Sequence, residues 1–316
     1  MSEITVLVPS YNHAPYVERT LRSIFGQTLR PRKLIVIDDG SKDESVTVIE
    51  RVLAECPFEC ELIARENRGL CGTLNEGFAL CNTEYFAYLG SDDVIISTTL
   101  EEQVTLLVQR PTAVLAFGHA YLIDEDDNII DSTSNWTTFA DGDPLPHLLH
   151  GQVFSSPGVV YRSSALRMHR WNEEAVLEDY ELYLKLAGEG EFARNSNVIG
   201  GWRQHGANVS SDAAKMLEEW IAAQDRVADS LPYTREELDI IQRGLRFISA
   251  SNLVRSGDRT NAFRLFKENI GGASSVPPAV GGLARILTPK RLFEANRERK
   301  RRKTIHYSGK IKLDQN

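Results

Sequence analysis

Strand and helix patterns alternate four times in the first 93 residues, and this alternation constrains the fold more than any other feature of the sequence. Each strand pattern is a short apolar run, and residues with helical spacing separate it from the next. The four runs are Ile4–Pro9, Lys33–Ile37, Glu61–Ala64 and Tyr85–Leu89. Such alternation with short connections predicts an α/β fold with right-handed crossovers, in which helices cover both faces of a mostly parallel sheet.

Polar residues follow every one of these runs. They are Tyr11 and Asn12, Asp38 and Asp39, Asn67, and the adjacent pair Asp92 and Asp93. The carboxyl ends of parallel strands meet at one edge of a sheet, and open α/β sheets bind their ligands there. We therefore expect these side chains to line a single ligand-binding edge.

Asp92 and Asp93 make a metal ion the first candidate ligand. Two adjacent carboxylates repel each other unless a cation lies between or in front of them, and oxygen ligands suit Mg2+ or Mn2+. The simpler interpretation is that Asp92 caps the helix that follows, and the pair alone does not decide between the two.

The same edge lacks both common phosphate-binding loops. Neither G-x-G-x-x-G after the first strand nor G-x-x-x-x-G-K-S/T occurs in the sequence. Instead, the edge offers the aromatic face of Tyr11 and the acceptor oxygens of Asp38 and Asp39, which together with a metal ion suit a nucleotide diphosphate. The segment Asp38–Ser41 also fits a tight turn, and Ser41 with Glu44 predicts a capping box for the next helix.

Composition sets broad limits on the class of protein. At 316 residues, 42% hydrophobic and 25% charged, the chain is typical of a globular protein with one large domain and an extension, or two medium domains. Its formal net charge of −8 disfavours nucleic acid as a partner. No stretch approaches the roughly 18 consecutive apolar residues of a membrane span, and no secretory signal is evident, so we predict a cytoplasmic location.

A series of short segments resembles family-2 glycosyltransferases in order and spacing. They are Pro9–Asn12, Gln27–Thr28, Val36–Ser41, Glu66–Gly69, Asn75–Gly77 and Ser91–Asp93. The resemblance implies a GT-A fold and a nucleotide-activated sugar donor, usually linked to UDP or dTDP. It also implies a Mn2+ or Mg2+ cofactor and, as in most members, inversion of the anomeric centre.

The resemblance assigns roles to residues at the sheet edge. Tyr11 would stack near the nucleobase, Asp39 would accept a hydrogen bond from the base, and Asp92 would contact the ribose or the diphosphate. Asp93 would face the metal ion, with Asp92 beside it. The other matching donor-site positions are Pro9, Asn12, Asn67, Arg68 and Gly69. One position departs from the family: Gly90 stands where many members carry an acid, which affects a sugar or ribose contact more than the metal carboxylate.

The resemblance continues to about residue 211 and includes the acceptor side. Asp179 matches the family's general base, which removes the proton from the acceptor hydroxyl, and Glu178 would orient or cap. An acid at a helix N-terminus is also favoured by the helix dipole, which is the simpler interpretation of Asp179. Ser156 lies in a segment similar to the strand that borders the acceptor cleft.

The segment Trp202–Ser210 resembles the family's closing Trp-Arg-x-His motif. In it, His205 would contact the metal ion or the diphosphate, and Arg203 would be available to a phosphate oxygen. A lone histidine is more often structural than a ligand, so the other histidines, His13 among them, are predicted to have no functional role.

The motifs end near residue 211, and three amphipathic helical patterns follow. They are Lys215–Leu231, Arg235–Val254 and Arg259–Ile270, with a Gly/Ser/Pro linker at 271–278. We therefore predict a transferase domain at 1–211 and a helical extension at 212–316 that ends in a basic tail.

The basic tail is the stretch Lys290–Lys303, which holds eight Lys or Arg against two Glu. It fits a solvated chain end. It equally fits an anchor on an anionic membrane surface, which would suit a lipid-linked acceptor and a peripheral position at the inner face of the cell membrane.

These observations predict an inverting, metal-dependent glycosyltransferase that moves a sugar from a nucleotide diphosphate donor to a hydroxyl of a surface glycan or its lipid-linked precursor. One alternative is a catalytically inactive nucleotide-sugar-binding scaffold, to which Gly90 points. Another is a nucleotidyltransferase, which should carry a glycine-rich loop with Arg or Lys after the first strand, and the sequence has none there. Retention of Asp92, Asp93, Asp179 and His205 favours the active enzyme.

Overall fold

The computed structural model describes residues 3–135, 139, 141–152, 154–205, 213–256, 258–272, 276–288, 291, 292, 295 and 309–314. They divide into two compact units. One unit comprises the described parts of residues 1–144, 154–205 and 307–316, and the other comprises those of 145–153 and 206–306. The predicted division at residue 211 stays a prediction, and these units differ from it at the segment 145–153 and in the described part of 307–316.

The first unit contains one sheet of nine strands among the described residues. The strands are β1 (Ile4–Ser10), β2 (Lys33–Asp38), β3 (Glu59–Ala64), β4 (Tyr85–Tyr88), β5 (Val94–Ile95), β6 (Ala113–Ile123), β7 (Ile129–Ser132), β8 (Val160–Arg162) and β9 (Glu191–Arg203). Their order is β3-β2-β1-β4-β8-β6-β9-β5, and β7 pairs with β6. Strands β1 to β4 are parallel, β8 is antiparallel to both of its neighbours, and β9 is parallel to β6. The predicted α/β architecture with a mostly parallel sheet is confirmed.

Six helices of the first unit accompany this sheet in the described part of the chain. They are α1 (Val17–Phe25), α2 (Ser45–Leu53), α3 (Gly69–Ala79), α4 (Thr99–Gln109), α6 (Ser163–Met168) and α7 (Tyr180–Leu186), and α5 (Leu145–Leu149) belongs to the other unit. The side chains of β1 and β2 pack with the apolar face of α1, which includes Val17, Leu21 and Ile24. Near-complete burial of β1 and β2 is what strands covered on both faces require.

The start of α2 differs from the predicted capping box. The helix begins at Ser45, and Glu44 makes no side-chain capping bond. The carboxylate of Asp43 instead accepts the Ser45 amide at 3.0 Å. Ser41 is engaged elsewhere, because its hydroxyl donates to Asp38 at 2.6 Å and accepts from the Asn12 amide at 2.8 Å. Ser41 therefore joins the loops after β1 and β2, and the capping-box prediction is wrong.

The second unit is helical in its described part. Its longer helices are α8 (Ala213–Val227), α9 (Arg235–Ser256), α10 (Arg259–Glu268) and α11 (Val276–Leu287). A small core that includes Phe247, Phe266 and Ile286 joins α9, α10 and α11. Asp258 caps α10, because its carboxylate accepts the Asn261 amide at 3.1 Å. No helix in the described residues is both long enough and apolar enough to cross a membrane.

Candidate active site

The loop after β4, residues 90–93, is fixed to helix α1. The buried hydroxyl of Thr20 donates to the backbone oxygens of Ser91 at 2.9 Å and Asp93 at 2.7 Å. The Asp93 amide closes a turn on the Gly90 oxygen at 3.0 Å. The next helix, α4, starts only at Thr99, so Asp92 does not cap it and the simpler interpretation of Asp92 is excluded.

Arg203, the last residue of β9, holds the same loop from the opposite side. Its side chain is 1% exposed, and a buried guanidinium must be paired to be tolerated. It donates to the backbone oxygens of Asp92 and Asp124, each at 2.7 Å, and to the carboxylate of Asp127 at 2.6 Å. It also lies over the ring of Tyr16, 5.0 Å from the centroid. These contacts hold the loop in place, and the phosphate contact of Arg203 stays a prediction.

Three possible metal ligands meet at this loop: His13, Asp92 and His205. One ligand atom from each lies within 4.8 Å of the other two. Nε2 of His205 is 2.9 Å from Oδ2 of Asp92, and Nδ1 of His13 is 3.9 Å from Oδ1 of the same carboxylate. The ring of Tyr16 stacks on His205 with centroids 5.5 Å apart, which limits the orientation of that imidazole. The structure therefore brings together two of the predicted ligands and adds His13.

The donor set of this cluster suits a divalent transition-metal ion. Two imidazoles and one carboxylate match Mn2+ better than Mg2+, which prefers oxygen ligands throughout. Burial lowers the pKa of His13, although the Asp92 charge acts in the opposite direction. The neutral imidazole that results carries the lone pair that a metal ion needs. The sequence signal for His13 is its place in the polar segment that follows the first strand.

Asp93 lies apart from this cluster and has different partners. Its Oδ1 accepts the Arg203 backbone amide at 2.8 Å. Burial, together with the negative charge of Asp92, raises the pKa of Asp93 well above the usual range of a carboxyl. These features describe a carboxyl that joins the loop to β9, and the metal-ligand role of Asp93 stays a prediction.

Gly90 faces both carboxylates. A Cβ at this position would lie 2.9 Å from Oδ1 of Asp92 and 3.3 Å from Oδ2 of Asp93. The observed positions of these two side chains therefore need a residue without a side chain at 90. An acid there, as in many relatives of the resembled family, would require both carboxylates to move.

Asp39 lies directly after β2, in the part of the candidate site where we expect the nucleobase to bind. Its buried carboxylate forms an ion pair with Arg65 and accepts the Arg68 amide at 2.7 Å. The side-chain amide of Asn67 donates to the Asp39 backbone oxygen at 2.8 Å. Tyr11 is 47% exposed, so its ring is accessible to a ligand. Four of the predicted donor-site residues thus occupy neighbouring positions after β1, β2 and β3.

In the same part of the candidate site, the backbone has a positive φ at Asn12 and at Gly69. Asn12 has a φ of 54°, and its side-chain oxygen accepts the Lys42 amide at 2.7 Å. Gly69 has a φ of 80° at the first residue of α3, with Arg68 before it at the N-cap position. Pro9 is buried within β1 opposite Ile37, and its contact with the donor stays a prediction.

Glu178 and Asp179 lie immediately before α7. Asp179 occupies the N-cap position, but its side chain makes no capping bond. The Tyr88 hydroxyl donates to Glu178 at 3.4 Å and also interacts with Ser156. Burial is the main cause that raises the pKa of both carboxyls, and the Glu178 charge raises that of Asp179 further. A carboxylate with a raised pKa is a stronger base, as proton removal from a hydroxyl requires.

The fold and this site define a glycosyltransferase with a GT-A fold. The family model described as Glycosyl transferase family 2 matches residues 5–167, which is just over half of the 316-residue chain. The chain belongs to this family, and the predicted family and enzyme class are confirmed.

Similar proteins agree with this assignment. An uncharacterized glycosyltransferase of Nostoc sp. is 28% identical over 79% of the chain and 80% of its own length. TarS 1–349 of S. aureus in complex with UDP-GlcNAc superposes with a TM-score of 0.62 at 15% identity, over 94% of this chain and 92% of the 1–349 chain. The mannosyltransferase PcManGT of Pyrobaculum calidifontis, in complex with GDP-Man and Mn2+, gives a TM-score of 0.61 at 17% identity, over 93% and 83% of the two chains. At these identities the two structures establish the shared GT-A fold.

Proposed function

We propose that the chain is an inverting, metal-dependent glycosyltransferase. In this proposal it transfers a sugar from a nucleotide diphosphate sugar, UDP- or dTDP-linked, to a hydroxyl of a surface glycan or its lipid-linked precursor. The observation that carries the proposal is that the metal-ligand cluster and the buried carboxyl pair before α7 both lie at the end of β4: Tyr88, the last residue of that strand, donates to Glu178 at 3.4 Å, and Asp92 is in the loop that follows the strand.

The donor occupies the edge formed by the ends of β1, β2 and β3. Tyr11 stacks on the nucleobase, and Asp39, held by Arg65, accepts a hydrogen bond from it. The turns at Pro9–Asn12 and Asn67–Gly69 shape the donor pocket. The nucleotide sugars in TarS and PcManGT support a donor of this class.

The diphosphate is placed at Asp92 and His205. When bound there, a divalent ion such as Mn2+ or Mg2+ stabilises the negative charge of the departing nucleotide. The imidazole and carboxylate ligands, and the Mn2+ in PcManGT, support Mn2+. Arg203 keeps the Asp92 backbone in place.

The acceptor is activated by Asp179. Its ionised carboxylate takes the proton from the attacking hydroxyl, on the face of the sugar opposite the leaving nucleotide, which inverts the anomeric centre. Glu178, hydrogen-bonded to Tyr88, and the nearby Ser156 border the acceptor side.

The direct test is release of free nucleotide from a panel of nucleotide sugars, measured with and without acceptor glycans. We expect one donor to react, excess chelator to abolish the reaction, and Mn2+ to restore it. Product NMR should show inversion. Full turnover in excess chelator, or retention of configuration, would contradict the proposal, and no reaction with any donor would support an inactive scaffold.

We also propose a domain division for the chain and a cellular location for the enzyme. We assign the transferase to residues 1–211, the helical extension to 212–316, and a cytoplasmic location at the inner face of the cell membrane. The basic stretch 290–303 lies mostly outside the described residues, and its charge supports binding to anionic lipid at about 1 kcal/mol per Lys or Arg near the surface. Truncation after residue 282 should abolish sedimentation with anionic vesicles at low salt.

A further inference from the structure

We infer that this chain holds a divalent transition-metal ion with three of its own side chains, His13, Asp92 and His205, and therefore binds the ion before any nucleotide arrives. The inference rests on the proposed metal-dependent transfer and concerns the order of binding and the identity of the ion. With Asp92 and His205 alone, a diphosphate would have to complete most of the coordination sphere. A third protein ligand leaves fewer coordination positions for the diphosphate to fill.

The first support is the geometry of the cluster. Two ligands of one ion, each bound at about 2.1 Å, are about 3 to 4 Å apart. The ligand atoms of His13, Asp92 and His205 all lie within 4.8 Å of one another, and both oxygens of Asp92 face an imidazole. Small side-chain rotations are enough to bring the three atoms onto one ion.

The second support is that His13 is held in place without any ligand. Its backbone amide donates to the Ser45 hydroxyl at 2.9 Å, and its backbone oxygen accepts the amides of Tyr16 and Val17 at 2.9 and 3.0 Å. Its ring nitrogen Nδ1 is 2.8 Å from the Ser91 hydroxyl. The backbone of His13 is thus anchored to the starts of α1 and α2, so little backbone order has to be gained on binding an ion, and coordination through Nδ1 would exchange the Ser91 hydrogen bond for a bond to the ion.

The third support is the rigidity of the other two ligands. Thr20 and Arg203 fix the backbone around Asp92, and the stacked ring of Tyr16 fixes His205. A site with three pre-positioned ligands binds its ion more tightly than one with two. Its two imidazoles shift the preference from Mg2+ towards Mn2+, Co2+ and Zn2+.

The test measures Mn2+ binding to the full chain with no nucleotide present. We expect one Mn2+ per chain by calorimetry, and pulsed EPR should detect nitrogen couplings from two imidazoles. His13→Ala should weaken nucleotide-free Mn2+ binding by about 10- to 100-fold and leave the couplings of one imidazole. Added UDP should remove most of that loss, because its diphosphate oxygens supply the missing ligands.

Two further variants control this experiment. His13→Asp restores a ligand atom at the same position, so it should recover Mn2+ binding and bind Mg2+ more tightly than the parent does. His169→Ala removes a histidine that pairs with Glu189 at 3.0 Å outside the cluster, and it should bind Mn2+ as the parent does. Equal Mn2+ binding by the parent and His13→Ala, or no Mn2+ binding by the parent without nucleotide, would overturn the inference. Neither result depends on turnover, so it is distinct from a failure of the proposed transferase reaction.

Discussion

Asp179, the proposed general base, is a buried carboxyl whose pKa burial raises. Replacing it by Asn keeps the size of the side chain and removes its basicity, so we expect kcat to fall by roughly 100- to 10,000-fold while UDP binding persists. Calorimetry and turnover on the same preparation separate the two effects. Turnover within a few-fold of the parent would show that the base is another group, and loss of turnover in Glu178→Gln alone would identify Glu178 as that group.

The same substitution should not reduce thermal stability at neutral pH. Because the pKa of Asp179 is raised in the folded state, mainly by burial, the folded protein binds its proton more tightly than the unfolded chain. Stability is therefore lost as the pH rises from about 4 through the raised pKa. Asn carries no such proton, so Asp179→Asn should have an equal or higher Tm than the parent at neutral pH. A lower Tm for Asp179→Asn than for the parent would mean that the contacts of the Asp179 carboxylate stabilise the folded protein by more than its burial costs.

The pH dependence of turnover tests the coupling between the two carboxyls. A general base works ionised, so kcat/KM should fall as the pH drops through the raised pKa of Asp179. Glu178 raises that pKa by its charge, and Glu178→Gln should move the acid limb of the profile to lower pH. Glu189→Gln, at a carboxyl outside the pair, should leave the limb unchanged. An acid limb that stays in place in Glu178→Gln would exclude Asp179 as the titrating group.

At the scale of elements, helix α1 positions the loop of residues 90–93, which carries the candidate metal ligand Asp92. Thr20 is fully buried and its hydroxyl serves two backbone oxygens of that loop. Thr20→Val keeps the shape and leaves both oxygens without this donor, so it should destabilise the protein by about 1 to 3 kcal/mol and weaken Mn2+ binding. Thr47→Val, at an exposed position of α2, is the matched control and should change stability by less than about 0.5 kcal/mol. Urea unfolding and Mn2+ titration measure both effects, and equal behaviour of the two variants would contradict the role of α1.

The sequence was sufficient to predict the elements that depend on a local pattern. It was not sufficient to predict strand pairing between residues that are far apart in the sequence. The alternating apolar runs were sufficient for β1 to β4 and their helices, because burial on both faces leaves a local signature. Nothing local marks β8 as the antiparallel strand between β4 and β6, since that position depends on pairing with residues some 75 and 45 positions away, as with Phe86–Tyr161 and Leu115–Tyr161.

The candidate site shows the same division. Asp39 and Asp92 follow strands that the pattern already located, so their shared edge could be predicted, whereas Asp179 was assigned from the family resemblance alone. The partners of Arg203 could not, because its bonds to Asp92 and Asp127 cross 111 and 76 positions of sequence. His13 was missed for a related reason: its distance to Asp92 and His205 is set by the fold, and its place in the polar segment after β1 does not by itself distinguish a ligand from a structural histidine.

At the scale of the whole molecule, the end of the chain supports the active site. Residues 309–314 belong to the first unit and lie along the turn between β6 and β7. The Ile311 amide donates to the backbone oxygen of Asp127 at 2.9 Å, and the Ser97 amide donates to the backbone oxygen of Leu313 at 2.7 Å. Asp127 in turn pairs with Arg203, which holds the loop of Asp92. The contacts thus run from residues 309–314 to the loop that carries the candidate metal ligand Asp92.

Ile311 is the residue that attaches this segment. Its side chain is 2% exposed and packs with Val94 and Ile123 in a small separate core. Ile311→Ala should therefore lower the free energy of unfolding by about 2 to 4 kcal/mol. It should also speed hydrogen exchange of the Ile129 amide, which donates to the Gly309 oxygen at 3.0 Å, and weaken Mn2+ binding through Asp127 and Arg203. Lys312→Ala, at the exposed neighbouring position, should change none of these quantities appreciably. If Ile311→Ala speeds exchange at Ile129 and leaves Mn2+ binding unchanged, the role of residues 309–314 is only structural. If exchange at Ile129 is unchanged, Ile311 does not hold these residues in place.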